Sequence, residues 1–316
     1  MEKLVFATFS IKISQMGNPE NLSSFDGNKD LLTFIEKFLV EIFNGDLKTE
    51  DFRGIKKFHL RIDQIIHTSE EDRCCYGYLS SGVSGDTYTI RNLENDTKVA
   101  DVTSGDGAFK DIFFFFHIPL QKQTGFLVLQ RKGNFGAKVA LEKSLKKYMK
   151  SEGFNRHTIN LYNLISEQVF DRMIQLGELM RVDLIKKYIP SDIKEYITNG
   201  ENMSESPGKL KTTISTDSKL PDSWKRYLRR IYKSRGRYSD QYEVDGISDQ
   251  YEDIQFQLEY NGKSKKFHVV REGKTQPDVD VTQEYREKFG EEITVHQLAL
   301  LAKSTLQDIF GINGNL

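Results

Sequence analysis

The chain has 316 residues, 38% hydrophobic and 11% aromatic, with 45 Lys or Arg against 46 Asp or Glu and a formal net charge of −1. That length suits two domains and that apolar content supports true cores, which excludes wholesale disorder. No apolar run approaches the ~18–20 residues that cross a bilayer, and MEKLVFATFSIK turns acidic at once without a small-residue cleavage site, so neither a membrane span nor a signal peptide is expected.

In chain order, residues 3–14 alternate apolar and polar and predict a half-buried strand. Leu31, Leu32, Phe34, Ile35, Phe38, Leu39, Ile42 and Phe43 follow at helical spacing, with Gly45 as the stop. Strands are expected at 55–66, 74–80, 111–118 and 125–131. The last two, DIFFFFHI and GFLVLQR, are near-continuously apolar and predict an antiparallel hairpin in the middle of a sheet. Gly133 and Gly136 then break the strand, and a helix resumes from Ala137 to Met149. A strand at 157–165, a helix at 166–176 and a strand at 178–189 come next. The polar stretch 199–208 (NGENMSESPG) reads as a mobile loop. LKTTIST suits a strand and SWKRYLRRIYK a helix. IQFQLEY-NG-KSKKFHVV carries the Asn-Gly signal of a two-residue hairpin, and a final helix runs from Thr294 to about Ile309. The fold class expected is α/β (α+β): two mixed-sheet domains, 1–155 and 156–316, with largely antiparallel strands and flanking helices.

The near-zero net charge hides segregation. Residues 206–238 hold ten Lys or Arg against Asp217 and Asp222, and residues 122–150 hold eight against Glu142 alone. Residues 239–259 then carry seven Asp or Glu and no Lys or Arg, including two copies of SDQYE. On the predicted helix, Trp224, Leu228 and Ile231 share one face. Lys225, Arg229 and Lys233 lie on an adjoining face, with Arg226 and Arg230 beside them. Five cations on a short helix repel one another unless an anion neutralises them. Arg235 and Arg237 extend the helix as a basic arm, and Tyr227, Tyr232 and Tyr238 offer ring faces on which a base could stack. These features point to phosphate contacts with nucleic acid. A solvated helix face neutralised by the 239–259 segment, and docking on an acidic partner, remain alternatives.

A second candidate region is the glycine turn RKGNFGAK with the helix after it, where Lys132, Lys138, Lys146, Lys147 and Lys150 could meet phosphates at a helix N-terminus. It matches neither GxGxxG nor the P-loop pattern, and a plain strand-to-helix turn is the competing explanation. A metal nuclease is a third possibility: Asp278, Asp280, Glu259 and Lys263 supply the residue types but not the spacing. The six histidines (59, 67, 117, 157, 268, 296) are scattered with no zinc-ligand spacing, and there is no Gly-x-Ser-x-Gly elbow. No catalytic residue, cofactor or metal is therefore expected. Adjacent Cys74 and Cys75 cannot readily bridge each other, one is expected to face the core and the other not, and a reducing cytoplasm is the natural setting.

The stretches MEKLVFATFS, DIFFFFHIPLQKQTGFLVLQR, GKLKTTISTDSKLPDSWKRYLRRIYK, DIQFQLEYNGKSKKFHVV and ITVHQLALLAKSTLQDIF follow an order of elements that resembles the RexA-type phage-exclusion proteins of lambdoid prophages. The resemblance spans most of the chain and rests on patterns of apolar and basic residues. It implies a globular domain joined to a movable one, a homodimer and largely sequence-independent binding of double-stranded DNA. It also implies a sensor's role in abortive infection, with a separate membrane or toxic effector downstream. The family brings no catalytic residues, and the doubled SDQYE segment has no counterpart in it. The alternative function is a protein–protein adaptor whose basic helix docks on an acidic partner.

Overall fold

The computed structural model describes residues 3–45, 48–52, 56–132, 137–164, 167–186, 209–216, 218–234, 242–244, 247–251, 253–269, 277–290 and 292–312. The chain is α+β and divides into two units. The first takes residues 1–164, 285–307 and 312–316, the second 165–284 and 308–311. A single cut near 155 therefore gives way to an interleaved division.

In the first unit, β1 (Val5–Gln15) pairs with β10 (Gly125–Gln130) and with β11 (His157–Asn163). The sheet continues from β10 through β9 (Gly107–His117), β6 (Cys74–Ser84) and β4 (Lys56–Arg61) to β3 (Lys48–Phe52). Two short strands add to it, β2 (Asn18–Pro19) on β1 and β5 (His67–Ser69) on β6. All these pairs are antiparallel. The hairpin expected from the two apolar runs is β9–β10, inside the sheet. The strand expected over 55–66 ends at Arg61, and Ile65 is 72% exposed.

Helices α1 (Leu31–Phe43) and α2 (Lys138–Ser151) lay their apolar stripes on one face of this sheet, with Phe9, Ile11, Phe114 and Phe116. Asp30 caps α1 by accepting from Leu32 N–H at 3.0 Å, and its two oxygens take Arg73 at 2.7 Å each. Asn44 and Gly45, the latter at φ +114°, end the helix as expected. Helix α6 (Val295–Phe310) buries Leu298, Leu301, Ala302 and Leu306. His296 bonds Tyr76 and Lys303 bonds Asp72, which places α6 on the opposite face of the sheet. This is why the chain's last helix joins the first unit; Phe113 to Phe116 are all buried, and each ring adds roughly 1.5–3 kcal/mol. It also corrects the cysteine expectation. Cys74 and Cys75 point to opposite faces, yet both are buried and free. Among the described residues, ribbon β7 (Tyr88–Arg91) and β8 (Lys98–Val102) pair only with each other, and the sequence reading missed them.

In the second unit the order is β13 (Leu210–Ser215), β12 (Glu178–Lys186), β16 (Asp253–Tyr260), β17 (Lys263–His268) and β18 (Asp278–Asp280). β14 (Tyr242–Val244) and β15 (Ile247–Tyr251) form a separate ribbon within the acidic stretch. Asn261 and Gly262, at φ +50° and +68°, make the two-residue turn of β16–β17. Helices α3 (Glu167–Leu176) and α4 (Asp222–Ser234) cover one sheet face, where Phe170 and Tyr232 meet Phe256 and Phe267. Helix α5 (Thr282–Phe289) follows β18, with Asp280 accepting from Thr282 N–H at 3.0 Å. The expected loop 199–208 and the glycines 133 and 136 lie outside the described residues.

Candidate nucleic-acid interface

Helix α4 forms where the sequence places it. Asp222 in its first turn and Lys233 in its last both suit the helix dipole. Leu228, Ile231 and Tyr232 are buried, and Trp224 is half-buried. The stripe Lys225, Arg229, Lys233 does not face solvent alone. Lys225 Nζ donates to the Gly177 carbonyl at 2.6 Å and sits 3.9 Å from Asp222. Arg229 lies 3.9 Å from Asp171 on α3, and Lys233 Nζ lies 2.7 Å from the same carboxylate. The neutralising group found here is thus Asp171. The acidic stretch supplies no described ion pair to α4: Asp240 and Glu252 lie outside the described residues, as do the side chains of Glu243 and Asp249.

Arg226 and Arg230 occupy the exposed side of α4. The Arg230 guanidinium stands 5.4 Å from the centre of the Tyr227 ring. Tyr232 is not a stacking platform for a base, because it is fully buried against Phe170. Arg235, Arg237 and Tyr238 lie outside the described residues.

The second predicted region belongs to the first unit. Glu142 takes Lys146 at 2.8 Å and Lys138 at 3.9 Å, and Lys138 also stands over the Phe9 ring. Lys147 and Lys150 are exposed and Lys132 half-buried, though Lys147 also engages a neighbour within the chain. Ala137 begins α2 without a side-chain cap.

Two of the four nuclease candidates, Asp280 and Lys263, hold structural positions. Asp280 caps α5. Lys263 is fully buried between Glu284 at 2.7 Å and Asp308 at 2.8 Å, and buried Lys265 donates to the Asp278 carbonyl at 3.2 Å. Among the described residues, no three His, Cys, Asp or Glu side chains converge on a point that could hold a metal. Two of the scattered histidines do meet: the rings of His67 and His296 lie 4.6 Å apart, and Tyr76 Oη is 2.8 Å from His296 Nδ1.

The sequence reading missed a charged node on the other face of the second unit's sheet. Asp183, 1% exposed, sits under three cations and a hydroxyl. Arg181 Nε donates to its Oδ1 at 2.8 Å and Thr213 Oγ1 to the same oxygen at 2.9 Å. Lys211 Nζ and Lys266 Nζ approach Oδ2 at 2.9 and 3.5 Å. Burial pushes the carboxyl up, but bonds from Arg181, Lys211 and Thr213 outweigh it and hold the pKa at about 2. Cross-strand register brings these groups together, Asp183 facing Thr213 on one side and Gln255 on the other. No local spacing announces it.

Among the described residues no helix is long and apolar enough to cross a membrane. No family model matches this chain, and no curated protein matches it either.

Proposed function

We propose that this chain binds double-stranded DNA through phosphate contacts, with little sequence preference and without catalysing a reaction. The observation that supports the reading is the charge of α4: five cations stand against two neighbouring carboxylates, Asp171 and Asp222, and Arg226 and Arg230 occupy its exposed side. Such contacts position a duplex but carry no sequence information. The resemblance to RexA-type phage-exclusion proteins extends the proposal to a cytoplasmic homodimer that senses DNA in abortive infection and signals to a separate effector. The two free cysteines suit a reducing compartment.

Fluorescence anisotropy with a labelled duplex at low salt tests the reading, with and without magnesium. Saturable binding to unrelated duplexes, no cleavage, and weakened binding by the Arg226→Ala/Arg230→Ala variant are expected. No binding at low salt overturns the proposal in favour of an adaptor that docks on an acidic protein. Magnesium-dependent cleavage replaces it with a nuclease.

A further inference from the structure

The face of the second unit's sheet opposite α3 and α4 carries Arg181, Asp183, Lys211, Thr213, Gln255, Gln257, Ser264 and Lys266, placed there by strand alternation and register. We propose that this face is a second phosphate-binding surface for duplex DNA, organised by Asp183. The inference rests on the DNA-binding reading above and assigns it residues outside the basic segment.

Three cations share one carboxylate in this node, so it keeps a local excess of positive charge. Arg181, Lys211 and Lys266 side chains remain 39%, 35% and 42% exposed while Asp183 is buried beneath them. A flexible surface lysine loses rotamer freedom when it grips a phosphate. Here the carboxylate has already fixed the three cationic groups within 3.5 Å of its oxygens, so less freedom remains to be lost. Thr213 already gives its proton to Asp183, while the second amide N–H of Gln255 and of Gln257 and the Ser264 hydroxyl add uncharged donors suited to phosphate oxygens. The other carboxylates on this face are engaged within the chain. Asp253 accepts from Gln255 Nε2 at 3.4 Å, and Asp280, opposite Ser264, caps α5 by accepting from Thr282 N–H at 3.0 Å. Asp278 and Glu259 engage neighbours within the chain, and Glu178 at the strand end accepts from Lys219 at 3.1 Å. Because α4 lies on the opposite side of the sheet, the node and the exposed arginines of α4 touch separate stretches of DNA.

The test is a salt titration of duplex binding by the full chain, comparing Lys211→Gln/Lys266→Gln, Asp183→Asn and a control of equal charge loss, Lys29→Gln/Lys37→Gln. The first variant leaves Arg181 and Thr213 on Asp183, and circular dichroism with thermal melts verifies its fold. It is expected to flatten the log–log salt slope by about 2, near 0.9 for each lost phosphate contact, while the control leaves the slope unchanged. Asp183→Asn separates organisation from mere charge. Removing a negative charge should tighten binding if only the sum matters, whereas loss of the organising carboxylate should weaken it, the result expected here. A wild-type slope in Lys211→Gln/Lys266→Gln, while Arg226→Ala/Arg230→Ala still weakens binding, sinks this surface and leaves the DNA-binding reading standing. Tighter binding by Asp183→Asn overturns the organising role. Absence of any duplex binding by the wild type removes both.

Discussion

Tyr232 on α4 stacks on Phe170 of α3, with ring centroids 3.8 Å apart and planes 20° from parallel. Beside this stack Lys233 reaches Asp171, the residue after Phe170, so one pair of helical turns joins the helices by both packing and charge. The basic helix is therefore a docked element of the second unit's core, and its cations divide into an inner stripe and an outer pair.

Tyr232→Ala should destabilise the chain by about 3–5 kcal/mol, since it removes a buried ring and leaves a cavity against Phe170, Phe256 and Phe267. Tyr232→Phe keeps the stack and should cost about 1 kcal/mol. Urea denaturation midpoints of the two variants check the difference. Similar midpoints would show that the ring is not part of the core.

The inner and outer cations of α4 should respond differently to removal. Lys225→Ala with Lys233→Ala breaks the links to Gly177 and Asp171 and should lower stability by about 1 kcal/mol, the scale of half-exposed pairs. Arg226→Ala with Arg230→Ala should leave the thermal midpoint within a degree or two, because exposed substitutions away from caps and core cost little. Differential scanning calorimetry of the two double variants makes the comparison.

Lys265 gives the chain a pH signature. Burial holds its pKa down to about 8 against an ordinary 10.5, with Asp278 pulling it back only in part. Between those values the unfolded chain binds more protons than the folded one, so this group makes stability rise with pH across that window. Tyr76, Tyr78 and Cys75, all pushed up by burial, act in the opposite sense at alkaline pH. The difference between wild type and Lys265→Met isolates the lysine. Relative to that variant, the wild type should gain stability from pH 8 to 10.5, followed by guanidinium unfolding. A flat difference contradicts the assignment.

The adjacent thiols should be inert in the folded chain. Burial pushes Cys74 up to about 11 and Cys75 well above the ordinary range, so almost no thiolate exists near pH 8. Ellman's reagent should titrate neither cysteine in native protein and both in denaturant. Rapid labelling of native Cys75 would mean that the cover provided by α1 and α2 opens readily.

Much of the fold was legible because its signals are local. Helical spacing from Leu31 to Phe43, the Asn261-Gly262 turn and the run Ile112–Phe116 each need only a short window, and each forms where expected. Two failures have one cause, that neighbours distant in sequence decide what a residue meets. The alternation of β6 correctly sends Cys74 and Cys75 to opposite faces, but only the return of α6 shows that both faces are covered. Likewise α4 advertises its cations in sequence, whereas Asp171, which takes two of them, lies about sixty residues earlier on another helix. The Asp183 node draws on β12, β13 and β17 and has no local signature at all.

The central claim is that duplex DNA is held through phosphates, and the salt dependence of binding measures that directly. For the wild type, the logarithm of affinity should fall steeply and linearly with the logarithm of salt, alike for unrelated duplexes. Arg226→Ala/Arg230→Ala should flatten that line by about 2. A slope near zero, or one unchanged in that variant, would contradict the account.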